Sequence, residues 1–282
     1  METVNDIVDI KEGSKSSFFY AFNLLPKPKR DAMNAVYAFC RQTDDIIDEG
    51  TDSDDIKYER LRKWRIEFEK ALKGNSNYPL LNKVADIIKQ FNIPIDPFFE
   101  LIIGMEMDLQ NKRYFTFDDL VKYCYRVAST VGLMCIEIFG YKNKSTIDYA
   151  VNLGLALQMT NILRDVKVDA EKNRIYLPQE DLQEVGYTEK ELFDNIYNEK
   201  FINLMKKNAK RAHDYFDRAN YYLDPNDKGG LFPARAMQHI YFSLLKKIEK
   251  KNYDVYSQKI SVNKLEKVYL AFGVWAKYSL IY

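Results

Sequence analysis

The sequence predicts an all-α fold, and three observations carry that expectation. Apolar residues recur at helical rather than alternating spacing in run after run. Clusters of Gly, Pro and Asn separate the runs. Neither a Pro/Ser-rich linker nor an internal repeat divides the chain, so its 282 residues read as one domain, 1–282. Taken in order, Ala32, Val36, Phe39 and Cys40 mark a helix near 28–48, and Leu61, Trp64 and Phe68 one near 53–73. Breakers at 74–79 and 92–97 bound a helix near 79–91 and open another near 95–111. Helices near 116–139 and 145–169 flank a break at 141–145, the second marked by Leu155, Met159, Ile162 and Val166. Past breakers at 175–178 and 224–233, helices fall near 198–222, 233–251 and 261–280.

Composition excludes several function classes. Basic and acidic residues nearly cancel, at a formal net charge of +1, which removes the basic excess that nucleic-acid binding requires. The only cysteines are Cys40, Cys124 and Cys135, with no CxxC pair, and no secretory signal opens the chain; a reducing, cytoplasmic setting is expected. Two histidines, His213 and His239, are too few for a histidine-built metal site or a Ser-His-Asp centre. No stretch approaches the ~20 apolar residues of a membrane span. The 21 Tyr and 17 Phe need either a core or an apolar cavity to occupy.

The first chemical signal is Arg41-Gln-Thr-Asp44-Asp45-Ile-Ile-Asp48 at the end of the first helix. At about 100° per residue, Tyr37, Arg41, Asp44 and Asp48 share one stripe, so two carboxylates can reach one ion. Without an ion this is unfavourable. Like charges four apart cost a few tenths of a kcal/mol, and acids in a last turn oppose the helix dipole by about 0.3–1 kcal/mol each. An ordinary acidic helix end on the surface is the competing reading.

The second signal is Asn161-Ile-Leu-Arg164-Asp165-Val-Lys-Val-Asp169, where Asn161, Asp165 and Asp169 climb one flank of a later helix. Oxygen ligands without His or Cys suit a hard cation such as Mg²⁺, which takes one or two carboxylates plus phosphate oxygens. Arg41, Arg164 and Arg174 beside the acids match phosphate, since guanidinium forks pair with its oxygens; salt bridges to their acidic neighbours are the rival explanation. The basic stretch from Asn198 to Tyr222 reads first as a solvated helix face, with a phosphate- or membrane-facing role as the alternative. Glu106 and Asp108 read either as an acidic cavity rim or as a plain helix face.

Longer blocks carry a family resemblance: Ser16-Ser-Phe-Phe-Tyr-Ala-Phe-Asn-Leu-Leu-Pro26, Ala35 to Asp48, Gly104-Met-Glu-Met-Asp-Leu109, Tyr123 to Gly132, Gln158 to Asp165 and Arg174-Ile-Tyr-Leu-Pro178. In that order they resemble squalene/phytoene synthases over nearly the whole chain, and within the family most resemble bacterial presqualene diphosphate synthases of hopanoid pathways. The resemblance implies an all-α isoprenoid-synthase fold around a central apolar cavity. It assigns Asp44 and Asp48 to the first metal motif and Asn161, Asp165 and Asp169 to the second. Ser17, Arg41 and Arg164 match diphosphate contacts, with Lys259 where an arginine is commoner, and Tyr123 and Tyr241 match tyrosines of the reaction cavity. Lys167-Val168 departs from the usual Gly-Glu.

The implied reaction joins two farnesyl diphosphates into presqualene diphosphate, with Mg²⁺ (or Mn²⁺ in its place) as cofactor and NADPH only if the product is squalene. Phytoene, dehydrosqualene and squalene remain open as products. A metal phosphohydrolase and a non-catalytic helical scaffold remain open as other classes. For Val268 to Tyr282, peripheral contact with the inner face of a membrane stands beside the simpler reading of core packing.

Overall fold

The computed structural model describes residues 22–48, 52–110 and 112–279, with side chains as far as Lys277. Among these the long helices fall where apolar periodicity puts them: α1 (Lys27–Asp48), α2 (Asp54–Leu72), α3 (Pro79–Phe91) and α4 (Asp96–Gln110). The expected helix over 116–139 is interrupted. It comprises α5 (Phe117–Cys124), a π-helical turn (Tyr125–Ser129) and α6 (Thr130–Phe139). Then come α7 (Ser145–Glu171), short α8 (Gln179–Val185) and α9 (Glu189–Phe193), α10 (Glu199–Tyr222), α11 (Phe232–Lys250) and α12 (Lys264–Ser279). The sequence pattern did not announce α8 and α9. The one β feature among the described residues is an isolated parallel bridge between Arg113 and Ile175.

Helix α7 is the central element. It packs along α10 on one side and against the π-helical turn and α6 on another. The close approach to the turn depends on Gly154, where a Cβ would lie 2.5 Å from the Cα of Ser129. The turn itself is held by the Ser129 hydroxyl, which donates to the Val151 carbonyl at 2.8 Å, and by the Thr130 hydroxyl, which donates to the Arg126 carbonyl. Gly154→Ala is therefore expected to lower folding stability by about 1–3 kcal/mol through overpacking, read as a shifted midpoint in urea denaturation.

Helix α1 is seated by an aromatic cluster. Phe39, Phe68 and Phe98 lie with ring centroids 5.1–5.4 Å apart, at separations where aromatic pairs attract edge-on or tilted. Trp64 Nε1 donates to the Thr43 hydroxyl at 2.9 Å. At the helix end, Lys57 Nζ donates to the Ile47 carbonyl at 2.6 Å, satisfying one of the terminal acceptors beside Asp48.

The basic helix α10 is less solvated than its composition suggests. Lys207 and Arg211 converge on Asp181 of α8, a fully buried carboxylate that Asn208 also reaches at 3.2 Å. These groups are thereby used in tying α8 to α10. His213 likewise contacts Glu249 of α11 at 2.7 Å.

Candidate active site

Helices α1, α4, α6, α7 and α11 surround a cavity of about 590 Å³, within the range of small-molecule sites. Its polar end is lined by Asp44 and Asp48 from α1 and by Asn161, Asp165 and Asp169 from α7. Down the same helices the lining becomes apolar, through Val36 and Met33 on one wall and Leu153 and Ala150 on the other, with Met237 and Phe139 completing the interior. From Asp48 to Met33 the α1 wall alone is about 22 Å long at the usual rise per residue. The two acidic motifs thus share one cavity, a juxtaposition that the periodicity of each stripe alone does not fix.

The polar end is crowded with carboxylates. Burial and the nearby charge of Asp48, against the opposing Arg41, push Asp44 up to about 6. Burial, then Asp165 and Asp108, push Asp169 up to about 7 against Arg174 and Lys172. Asp48 goes the other way: hydrogen bonds from Arg174 at 2.9 Å and Lys172 at 3.0 Å outweigh its burial and hold it below the usual carboxylate range. Both cations follow the end of α7, where Asn173 adopts a left-handed conformation (φ 57°) and reverses the chain. The Arg174 amide then returns to the Asp169 carbonyl at 2.9 Å. Arg113 fixes this turn through the Asn173 carbonyl at 2.8 Å and a two-pronged pair with Glu189.

Arg164 pairs with Asp165, and Arg41 with Asp44 at 3.1 Å and Asp45 at 2.6 Å. Arg41 and Arg164 both line the cavity. Tyr241 of α11 lies with its hydroxyl by Asn161 and Arg164, and burial pushes that phenol up. Tyr123 is buried on the cavity wall in a stack with Tyr114 and Tyr176. Its hydroxyl donates to Tyr176 at 3.4 Å, and Tyr176 donates to Asp108 at 2.7 Å. Burial first, then the Asp108 charge, raises Tyr123 well above an ordinary phenol.

Of the remaining sequence assignments, one falls outside the described residues and one lies off the cavity. Ser17 lies outside the described residues. Lys259 is exposed in the loop between α11 and α12 and is not among the cavity-lining residues. Lys267, one turn into α12, is likewise not among the lining residues, and its ammonium is pushed down by burial and by the charge of Arg164.

Sequence reasoning also undervalued Asp108. It is 6% exposed, receives Tyr176, and pairs with Arg174 at 3.3 Å. The signal was present: Asp108 falls on the same α4 face as buried Leu101 and Met105, a carboxylate where the pattern calls for an apolar residue. Lys172 carried no comparable signal, and Tyr176 had only its place in the block from Arg174 to Pro178.

The donor set fits a hard divalent ion. All candidate ligands are oxygens, Asn161 Oδ1 is buried without a hydrogen-bond partner, and the carboxylates raise one another's proton affinity where a cation would relieve them. Among the described residues, no group of three His, Cys, Asp or Glu side chains is arranged to hold a metal ion. Mg²⁺ bound by one or two carboxylates together with substrate phosphates does not need such a group.

Comparison with known proteins agrees with this architecture. The chain is 37% identical over 257 residues to phytoene synthase 1, chloroplastic, of Arabidopsis thaliana, covering 89% of this chain and 61% of that one. It is 34% identical over 258 residues to 15-cis-phytoene synthase of Synechococcus elongatus, covering 87% and 83%. The chain thus spans about three fifths of the Arabidopsis relative and most of the cyanobacterial one. Among solved structures, a dehydrosqualene synthase in complex with ligand superposes with a TM-score of 0.82 at 31% identity, over 97% of this chain and 94% of that one. Squalene synthase HpnC from Alicyclobacillus acidocaldarius gives 0.76 at 25% identity, over 85% and 90%. The all-α fold is that of the isoprenoid synthases. Residues 11–266 match the family model for squalene/phytoene synthase, and the chain belongs to that family.

Proposed function

We propose that this chain joins two prenyl diphosphates head to head, two farnesyl units giving presqualene diphosphate. The observation that carries this reading is the single cavity with acids and arginines at one end and an apolar interior at the other. A charged head and a long hydrocarbon tail are thereby given opposite environments. Geranylgeranyl units are the second reading, favoured by relatives named phytoene synthases.

In this reaction the C1–O bond of one allylic diphosphate breaks, and the C2=C3 electron pair of the second unit forms a bond to C1. Loss of one proton closes a cyclopropane, releasing one diphosphate. Asp44, Asp48, Asn161, Asp165 and Asp169 would hold magnesium, which when bound supplies Lewis-acid neutralisation of the departing diphosphate. Arg41 and Arg164 add fixed positive charge to the same end. Arg174 and Lys172 keep Asp48 ionised and aimed. The apolar walls exclude water that would capture the allylic cation, and the tyrosine faces offer cation–π attraction of about 0.5–2 kcal/mol.

Tyr123 acts as a neutral phenol, because burial and Asp108 make its anion costly. Since it donates to Tyr176, its oxygen is left to accept a proton as its own moves on to Tyr176 and then Asp108. Tyr123→Phe is expected to lower turnover about 10²-fold with unchanged circular dichroism. Retained turnover would assign the proton to released diphosphate instead.

The deciding experiment incubates the protein with radiolabelled farnesyl or geranylgeranyl diphosphate and Mg²⁺, with and without NADPH, and with chelator as control. A condensed lipid product formed only with metal supports the reading. Farnesol or inorganic phosphate alone would mark a phosphohydrolase, and no consumption would leave a scaffold.

A further inference from the structure

The last helix carries an apolar face that stays exposed among the described residues. Helix α12 packs through Ala271 and Val274, both buried, with Leu270 and Trp275 partly covered. On the opposite side Leu265, Val268, Tyr269 and Phe272 are 83%, 46%, 76% and 55% exposed. Their spacing of three and four places them in one stripe. Scattered exposed apolar residues are ordinary; four in a row on one helix face are a docking feature.

The surroundings indicate what docks. Between residues 246 and 267 lysines outnumber acids seven to three. The end of α11 meets the start of α12, because Lys247 and Ser243 of α11 both reach Glu266 of α12. Lys264 is exposed at the start of the stripe. A second copy docking through the same face about a two-fold axis would bring two lysine-rich patches together, which like-charge repulsion opposes. A surface of anionic lipid complements both the stripe and the lysines. Helix α12 packs against α11, which lines the cavity through Met237 and Tyr241.

We infer that the Leu265–Val268–Tyr269–Phe272 face of α12, with its lysine-rich flank, docks the protein peripherally on an anionic lipid bilayer. No described helix is long and apolar enough to cross a membrane, so the contact is interfacial. Its purpose rests on the proposed function: a long hydrocarbon product would leave the cavity beside lipid rather than into water. The docking itself does not depend on that reading.

The test is flotation of the full chain with vesicles of equal parts phosphatidylglycerol and phosphatidylcholine, and with phosphatidylcholine alone. The protein is expected to float with the anionic vesicles and to be released as salt rises. The triple variant Leu265→Ser/Tyr269→Ser/Phe272→Ser is expected to bind at least about tenfold less, and Lys264→Glu to weaken binding to anionic vesicles. Both should keep native circular dichroism and unchanged turnover in detergent. Failure of the wild-type chain to float, or undiminished flotation of the triple variant, would overturn the inference. So would a dimer in sedimentation velocity that the triple variant splits while vesicles go unbound. If flotation behaves as expected but no prenyl product forms, the docking stands and the proposed reaction fails.

Discussion

Asp44→Ala combined with Asp165→Ala is expected to lower turnover of a prenyl diphosphate by at least about a thousandfold, while far-ultraviolet circular dichroism stays that of the wild-type chain. The two residues stand on different helices that line one cavity end, so the pair removes an acid from each candidate metal position. Neither carboxylate builds the core. Asp44 is burdened by burial and by Asp48, so its loss relieves repulsion rather than removing support. Steady-state kinetics beside a urea melt separates the two effects. Near-normal turnover would remove the assignment of these acids to diphosphate activation.

Arg174→Met is expected to damage both stability and chemistry, by different routes. Arg174 reaches Asp48 at 2.9 Å and Asp108 at 3.3 Å. Its removal leaves Asp108 a buried carboxylate with hydrogen bonds from the Tyr176 and Tyr123 phenols but no cation beside it, at a cost of about 3–5 kcal/mol. Asp48 loses the stronger of its two hydrogen bonds and with it the orientation that metal binding needs, lowering turnover about 10²-fold. Adding Asp108→Asn should restore much of the stability, since the orphaned charge is gone and the amide oxygen still accepts from Tyr176. It should not restore turnover. Urea denaturation of the single and double variants with parallel rate measurements checks this. Recovery of both together would mean that Arg174 serves the fold alone.

The reach of the sequence can be judged residue by residue. The long helices were legible because each repeats an apolar face over several turns, as Phe39, Trp64 and Met159 do on α1, α2 and α7. Helices α8 and α9 are 7 and 5 residues long, too short for a period to register. They stand because Asp181 is clamped by Lys207 and Arg211, and because Thr188 and Glu191 form a capping box. That box was the one local signal available.

The interruption at Tyr125–Ser129 was hidden for a different reason, since Ser129 lies against Gly154 of α7, 25 residues further along the chain. Within the site, Asp44, Asp48, Asn161, Asp165 and Asp169 were legible because an i, i+4 stripe of ligands is a local property. Asp108, Lys172 and Tyr176 reach the cavity only through tertiary packing. Lys259 was assigned by its position in a pattern, and the loop between α11 and α12 that carries it contributes no lining residue to the cavity.

The central claim is that the two acidic helices hold a diphosphate jointly through divalent metal. Calorimetric titration with a non-ionising farnesyl thiodiphosphate, with and without Mg²⁺, measures it most directly. The expected result is tight binding by the wild-type chain only with Mg²⁺, and no metal-dependent gain in Asp44→Ala/Asp165→Ala. Equal affinity with and without Mg²⁺, or an undiminished gain in that variant, would contradict it.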